Sequence, residues 1–321
     1  WPRAIRIPQA WVSTAGSESP KVEVNLERHA KATTIWRVDD FERSAIDWDQ
    51  FTLSSPSQLR IRPPLTLRPH QESAIADVIG GFEAADRGQL IMACGTGKTL
   101  TSLRLAEQVV GAGGSVLFLV PSINLLSQSV KAWANDATVP LATFAVCSDG
   151  HAGKRRTDED MSANDLSVPA STNTAALLEA IGARSTDSNT SEVFSPYQSI
   201  DVISKAQADG IGQFDLVICD EAHRTTGAFT DIDDQSMFTK VHFDEYVNTA
   251  KRLYMTATPR VYGDQAKAKA ADADVLVASM DDESTFGPVF HELRFGDAVA
   301  QRLLTDYKVL VLAVNEDEVS S

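Results

Sequence analysis

Residues 92–99 are Met-Ala-Cys-Gly-Thr-Gly-Lys-Thr, and the short run Gln-Leu-Ile at 89–91 precedes them. A strand that breaks into a glycine-rich turn and then opens a helix forms a cradle for phosphate. The glycines let successive backbone N–H groups converge on an anion, and the helix N-terminus adds a favourable dipole. In such a loop Lys98 reaches the β- and γ-phosphates, and the Thr99 hydroxyl ligates Mg²⁺. The stretch therefore predicts a nucleotide site at the end of a strand.

The loop departs from the usual spelling at one position, where the consensus has glycine and this sequence has Met92. Taken alone, this departure leaves open a chance Gly-Thr-Gly-Lys-Thr in an ordinary loop. The interpretation therefore depends on partner motifs elsewhere in the chain.

Length, composition and charge limit the possible classes of protein. The chain has 321 residues, is 43% hydrophobic and carries a formal net charge of −15. These values predict one large or two ordinary domains with a real core. No apolar run approaches the roughly 20 residues needed to span a membrane. The charge argues against a generally basic nucleic-acid binder, but not against a motor that grips a backbone locally.

The cysteines indicate a reduced setting. Cys94, Cys147 and Cys219 are odd in number, far apart, and show no Cys-x-x-Cys spacing. Neither a zinc site nor a disulfide frame is supported, so we expect a cytosolic location. The start, Trp-Pro-Arg-Ala, has no initiator Met and no signal peptide, which indicates a piece of a longer protein.

From residue 65 onward, strand and helix patterns alternate, which predicts a parallel α/β sheet. The predicted strands are 89–93, 115–120, 142–147, 192–195, 214–219, 251–255, 275–278 and 307–314. The predicted helices begin at 67 and at 196 and span 98–110, 123–134, 173–183, 243–250 and 298–304. Residues 1–60 show no chemical constellation, so we expect an extension or linker with a short helix at 41–51. Residues 148–172 have the charge pattern of an exposed insertion.

An acid pair follows the apolar run 214–219. Asp220 and Glu221 come directly after it, in the stretch Asp-Glu-Ala-His. The carboxyl ends of parallel strands are where such sheets bind ligands. Asp220 is expected to hold Mg²⁺, directly or through water, and Glu221 to orient and deprotonate the attacking water. A solvated Asp-Glu pair is common, but one directly after an apolar strand and downstream of a phosphate loop is much rarer.

Two further features fit a nucleotide site. The amide of Gln71, early in a helix with Arg68 just before it, can match the donor and acceptor of an adenine edge. Thr256 and Thr258 follow the strand 251–255, and their hydroxyls can bond to the acid pair's segment and sense the γ-phosphate. Alone, these threonines before a proline would be turn formers.

The set of motifs, in this order, resembles the first motor domain of a superfamily 2 helicase or translocase. The resemblance implies a RecA-like α/β domain, ATP with Mg²⁺, and a nucleic-acid track over the carboxyl edge of the sheet. The implied nucleotide-binding residues are Arg68, Gln71, Cys94, Gly95, Thr96, Gly97, Lys98 and Thr99, with Asp220, Glu221 and Lys98 catalytic and Thr99 and Asp220 at the metal. The implied coupling residues are His223, Thr256, Ala257 and Thr258, and the implied nucleic-acid contacts are Pro121, Ser122, Gln128, Tyr197 and Ser199.

A narrower resemblance covers roughly residues 65 to 314. The wording of residues 91–99, 119–122, 220–227 and 254–260 is similar to the helicase part of single-chain, type ISP restriction-modification enzymes. Pro196 stands where that family has Thr, in its Ser-Thr-Tyr-Gln-Ser stretch. The resemblance implies DNA as partner, most of all its duplex backbone. It also implies nuclease, methyltransferase and second RecA-like domains outside residues 1–321.

These implications give a domain plan with alternatives. We expect an N-terminal extension at 1–60, a RecA-like ATP-binding domain at 61–306, and the start of a linker or second motor domain at 307–321. Because arginines of a second domain complete such sites, we expect this chain to bind ATP and to hydrolyse it slowly. The alternatives are a stand-alone helicase in repair or RNA work, and a nucleotide-gated binding module with little turnover.

Overall fold

The computed structural model describes residues 9–12, 33–36, 46–52, 54–55, 65–147, 172–184, 189–229, 237–265, 268 and 276–306. The strands are β1 (Gln9–Val12), β2 (Thr33–Trp36), β3 (Arg87–Met92), β4 (Ser115–Val120), β5 (Leu141–Ala145), β6 (Thr190–Pro196), β7 (Leu216–Cys219), β8 (Gly227–Phe229), β9 (Arg252–Thr256), β10 (Leu276–Ala278) and β11 (Val289–Leu293). The α-helices are α1 (Pro69–Ala84), α2 (Lys98–Val109), α3 (Ile123–Asp136), α4 (Thr174–Arg184), α5 (Ile200–Ala206), α6 (Glu283–Phe286) and α7 (Phe295–Ala300).

Seven of the strands form one sheet in the order β11-β3-β9-β7-β4-β6-β5. Every neighbouring pair in it is parallel, which confirms the predicted α/β class with a parallel sheet. Because the strands are parallel, their carboxyl ends meet at one edge. There the ends of β3, β9 and β7 are consecutive, followed by those of β4 and β6. β1 pairs with β2, and β8 with β10, in two smaller sheets.

The sheet is covered on both faces, and β4 shows why its sequence is an unbroken apolar run. Val116, Phe118 and Val120 belong to one core cluster, together with residues of α1, α2, α3 and α7. Leu117 and Leu119 belong to the other, with residues of α4, α5 and α6. A strand buried on both faces has no polar side to alternate with.

One predicted helix is wrong. Residues 243–250 form turns, preceded by a 3₁₀ turn at Lys240–His242. A helix through residue 250 would need the Asn248 and Ala250 N–H groups for the carbonyls four residues earlier. Here the Asn248 N–H donates to Gln207 Oε1 at 2.9 Å, and the Ala250 N–H donates to the Phe214 carbonyl at 2.8 Å. The chain then extends to a parallel bridge between Thr249 and Phe214, which opens the way into β9.

Other boundaries differ less. The helix expected at 298–304 spans Phe295–Ala300, and in the part of 41–51 that the structure describes there is a 3₁₀ turn at Trp48–Gln50. The expected strand 307–314 and nearly all of the expected insertion 148–172 lie outside the described residues. No helix in the described ranges is long and apolar enough to cross a membrane.

Candidate functional site

The loop after β3 has the backbone that a phosphate cradle needs. Gly95 and Gly97 have φ angles of 84° and 88°, in the left-handed region that favours glycine. Gly97 is the N-cap of α2, and the first N–H groups of a helix have no intrahelical acceptor. Met92, at the off-consensus position, is the last residue of β3 and is fully buried in the core. The position that lacks the consensus glycine therefore lies in the strand, and the backbone of the loop is unaffected.

Two side chains from the first turn of α1 hold this loop. The Nε2 atoms of His70 and Gln71 lie 2.9 and 3.4 Å from the Thr96 carbonyl oxygen, and Gln71 Nε2 also lies 3.3 Å from the Gly97 carbonyl oxygen. The Gln71 carbonyl oxygen accepts the backbone N–H of Arg68 at 2.9 Å. The Gln71 amide, which was predicted to contact adenine, is thus buried, and both its NH₂ group and its oxygen already have hydrogen-bond partners. Contact with adenine would require Gln71 to release these partners. His70 was not predicted, although its place beside Gln71 was a usable clue.

Gly97→Ala is expected to destabilise the chain by about 1–3 kcal/mol, the cost of a left-handed residue other than glycine. The new Cβ would lie 2.3 Å from Gln71 Nε2 and would displace that amide from the loop. Urea unfolding measures the change. The matched control is Gly80→Ala inside α1, where a Cβ meets nothing within 4 Å and a gain of about 0.5–1 kcal/mol is expected. Equal effects of the two substitutions would contradict the strained geometry.

Lys98 and Thr99 begin α2 beside this cradle. The Lys98 ammonium donates to the Met92 carbonyl at 3.3 Å, so it folds back over the loop. Its charge also opposes the rise of the pKa of Asp220. Thr99 is half-buried, and Cys94 is exposed in the turn. A phosphate in the cradle would compete with the Met92 carbonyl for the ammonium.

The acid pair follows β7, which lies two strands away from β3, so the pair and the phosphate loop are at the same edge of the sheet. Asp220 is half-buried, and its Oδ1 accepts the Glu221 N–H at 2.9 Å. Burial, and then the neighbouring Glu221 charge, raise the pKa of Asp220 to about 6. Glu221 itself has φ 49° and ψ 45°, a left-handed conformation that costs a non-glycine residue about 1–3 kcal/mol. Carboxylate and hydroxyl oxygens are the ligands that Mg²⁺ prefers, so Asp220 and Thr99 fit this ion chemically.

Asp220→Asn is expected to make the chain more stable than the wild type at pH 7, and about equally stable near pH 3, below both pKa values. The wild-type carboxyl keeps its proton up to about pH 6 when folded but only to its ordinary 3.8 when unfolded. Stability is therefore lost as pH rises between these values, by at most about 3 kcal/mol. Asn mimics the protonated form and can still accept the Glu221 N–H. Urea unfolding in EDTA at both pH values tests this, and a pH-independent difference would contradict the raised pKa.

His223 connects the acid pair to the end of β9. Its Nδ1 lies 2.9 Å from Thr256 Oγ1 and 3.3 Å from Glu221 Oε2. The same Thr256 oxygen accepts the backbone N–H of Thr258 at 3.2 Å. Burial, followed by nearby cations that include Lys98, lowers the pKa of His223 despite the opposing charge of Glu221. The imidazole is therefore neutral at pH 7. The structure brings together the predicted coupling residues, with Ala257 half-buried between the two threonines.

The predicted strand-contact residues divide into two groups. Ser122 and Gln128 are exposed, and Ser122 Oγ caps α3 by accepting the Leu125 N–H at 3.4 Å. Pro121 is buried, and its carbonyl accepts the Gln198 amide at 3.2 Å.

Burial contradicts the assignment of Tyr197 and Ser199 as nucleic-acid contacts. Tyr197 is 0% exposed and Ser199 is 5% exposed. The 3₁₀ turn after Pro196 directs the Tyr197 ring inward, against Phe238 at 5.1 Å between ring centroids. Its hydroxyl donates to the Asp220 carbonyl at 2.8 Å. Tyr197 therefore supports the backbone of the acid pair from beneath.

The site lies within a segment that matches the sequence pattern of a known family. Residues 64–261 match the family model ResIII, described as "Type III restriction enzyme, res subunit". The chain belongs to the ResIII family. The ResIII match contains the phosphate loop, the acid pair and Thr256, which are the three elements that meet at the sheet edge. A search of curated proteins finds no match.

Two solved structures resemble this ResIII chain closely. One is "ATP-dependent Type ISP restriction-modification enzyme LlaBIII bound to DNA", with 40% identity over 93% of this chain and a TM-score of 0.68. The other is a nuclease-deletion mutant of the Type ISP restriction-modification enzyme LlaGI in complex with a DNA substrate mimic, with 38% identity over 74% of this chain and a TM-score of 0.58. The resemblance predicted from the motifs is confirmed. The chain spans about a fifth of the length of each, 20% and 21%.

Proposed function

We propose that this ResIII chain is the first ATPase domain of a DNA motor in a restriction-modification enzyme, and that it couples ATP hydrolysis to movement on DNA. One observation carries the proposal. Three consecutive strand ends bring the loop of Lys98, the Thr256 hydroxyl and Glu221 to one edge, with His223 in contact with both Thr256 and Glu221. An anion cradle, a carboxylate pair and a link between them are the parts that phosphoryl transfer to water needs.

Each side chain has one role in the proposed reaction. The amides of the loop and Lys98 bind the phosphates, and Thr99 and Asp220 hold the metal. Mg²⁺, when bound, neutralises charge on the phosphate oxygens. Glu221 orients the attacking water and accepts its proton. Because neutral His223 contacts both Glu221 and Thr256, a shift at the acid pair reaches the end of β9.

The DNA part of the proposal comes from the relatives and from the exposed residues of the sheet edge. Both similar type ISP structures contain DNA or a mimic of it. Ser122 and Gln128 are exposed beyond β4 and can contact a backbone. We assign the ATP-binding domain to residues 61–306. We also propose that a second RecA-like domain, with nuclease and methyltransferase domains, accompanies it in a longer polypeptide.

Phosphate release with and without linear duplex DNA tests the proposal. We expect this chain to bind ATP with Mg²⁺ and to hydrolyse it slowly, because transition-state arginines are worth about 10³–10⁵ in rate. Brisk DNA-stimulated turnover by this chain alone would contradict the need for a second domain. In the longer polypeptide, duplex DNA should stimulate turnover. Stimulation by RNA and not by duplex DNA would favour a stand-alone RNA helicase.

A further inference from the structure

The segment that carries the two acids is held from beneath at both ends. We name residues 220–226 the acid turn. Within it, the Arg224 N–H donates to the Glu221 carbonyl at 2.9 Å, and Thr225 Oγ1 donates to the Ala222 carbonyl at 2.8 Å. These local bonds close a 3₁₀ turn, which is a weak element by itself. The strained Glu221 therefore needs support from outside the acid turn.

The support at the far end is His242, a residue of none of the sequence motifs. Its ring is 5% exposed and packs edge-on against Phe286 with 4.7 Å between ring centroids. Nε2 lies 2.9 Å from the Thr225 carbonyl oxygen, and Nδ1 lies 2.8 Å from the Tyr254 hydroxyl oxygen. Tyr254 belongs to β9, so the imidazole joins the acid turn to the strand that ends in Thr256.

The partners fix the tautomer of His242. A carbonyl oxygen only accepts, so Nε2 carries the hydrogen and donates it to Thr225. Nδ1 is then the acceptor of the Tyr254 hydroxyl. Burial lowers the pKa of His242 to about 4, which keeps the ring neutral at pH 7. Both ring nitrogens are therefore used in defined roles, and the ring has one orientation.

We propose that His242 is a positioning residue for Glu221, because it fixes the far end of the acid turn through the Thr225 carbonyl. Tyr197 holds the near end through the Asp220 carbonyl at 2.8 Å. With both ends fixed, the left-handed conformation of Glu221 is determined by its surroundings, as a strained functional residue requires. The catalytic part of this inference rests on the proposed ATPase function, but the support of the acid turn does not.

The test compares three variants of the chain for single-turnover phosphate release and for hydrogen exchange. His242→Leu removes both ring nitrogens and should slow release at saturating ATP by about 10- to 100-fold, with the KM for ATP unchanged. His242→Gln retains an N–H donor for Thr225 and should restore most of the rate. Phe286→Leu is the control, since Phe286 packs on the same ring and its phenyl side chain has no polar atom that could bond to the acid turn.

Hydrogen exchange gives a readout that does not need turnover. In His242→Leu the Arg224 amide should exchange faster, and in Phe286→Leu and His242→Gln it should remain as in the wild type. The proposal is wrong if His242→Gln is as slow as His242→Leu, or if Phe286→Leu loses the same rate. If the wild-type longer polypeptide also never hydrolyses ATP, the proposed function is wrong. The exchange of Arg224 would then still decide whether His242 holds the acid turn, and unchanged exchange in His242→Leu would refute it.

Discussion

Replacing Glu221 with Gln is expected to lower ATP turnover by a factor of about 10²–10⁴, the range for loss of a general base, while ATP binding persists. The amide has nearly the shape of the carboxylate but cannot take a proton from water. The phosphate cradle is two strands away and keeps its glycines and Lys98. Single-turnover phosphate release measures the chemical step, and titration with a fluorescent ATP analogue measures binding.

The matched control for this substitution is Glu245→Gln, which removes an exposed carboxylate from the turns before β9. It should leave both turnover and binding unchanged. If ATP turnover is almost the same in Glu221→Gln as in the wild type, the chain is a nucleotide-gated binding module, and the motor proposal is wrong.

Lys98→Ala is expected to weaken ATP binding by about 10- to 100-fold, because a hydrogen bond to a charged group contributes about 1.5–3 kcal/mol. The ammonium is the cation beside the cradle, and alanine leaves the α2 backbone intact. The same titration measures the change. Lys205→Ala is the control, since Lys205 is an exposed lysine in the last turn of α5. Unchanged affinity in Lys98→Ala would show that the nucleotide binds elsewhere.

Lys98→Ala has a second expected effect, at the acid pair. The lysine charge opposes the rise of the Asp220 pKa, so its removal should move that pKa further upward from about 6. A carboxyl-selective NMR titration in EDTA measures this shift. An unmoved Asp220 would mean that the ammonium lies too far from the acid pair to act on it.

The sequence was informative wherever a strand is buried on both faces. β4 and β7 appear as apolar runs, and the motifs follow such strands directly, so the edge of the sheet could be predicted. The edge strand β11 could not, because Val289 is 49% exposed and the strand has no apolar run. The helix expected at 243–250 failed for a different reason. The N–H groups of Asn248 and Ala250 donate to Gln207 and Phe214, and these contacts exist only in the folded chain.

The candidate site also divides into a part that the sequence predicts and a part that depends on contacts in the folded chain. The phosphate loop and the acid pair are chemical patterns in contiguous residues, and their neighbours in space follow from a parallel sheet. Tyr197 and His242 bond to carbonyl groups far away in sequence, and no spacing rule identifies such partners. The role of Tyr197 was the largest error, because the family resemblance implied a nucleic-acid contact whereas the ring is buried and its hydroxyl donates to the Asp220 carbonyl.

The position of β9 between β3 and β7 also has a consequence for the nascent chain. Residue 87 of β3 pairs with residue 252, and the other neighbour of β3 is the still later β11. At about 5–20 residues per second, a ribosome needs roughly ten to thirty seconds to make the intervening segment. Throughout that interval the apolar strand of the phosphate loop has two open edges, which is a hazard for aggregation. The nucleotide site is thus among the last parts of the sheet that synthesis can complete.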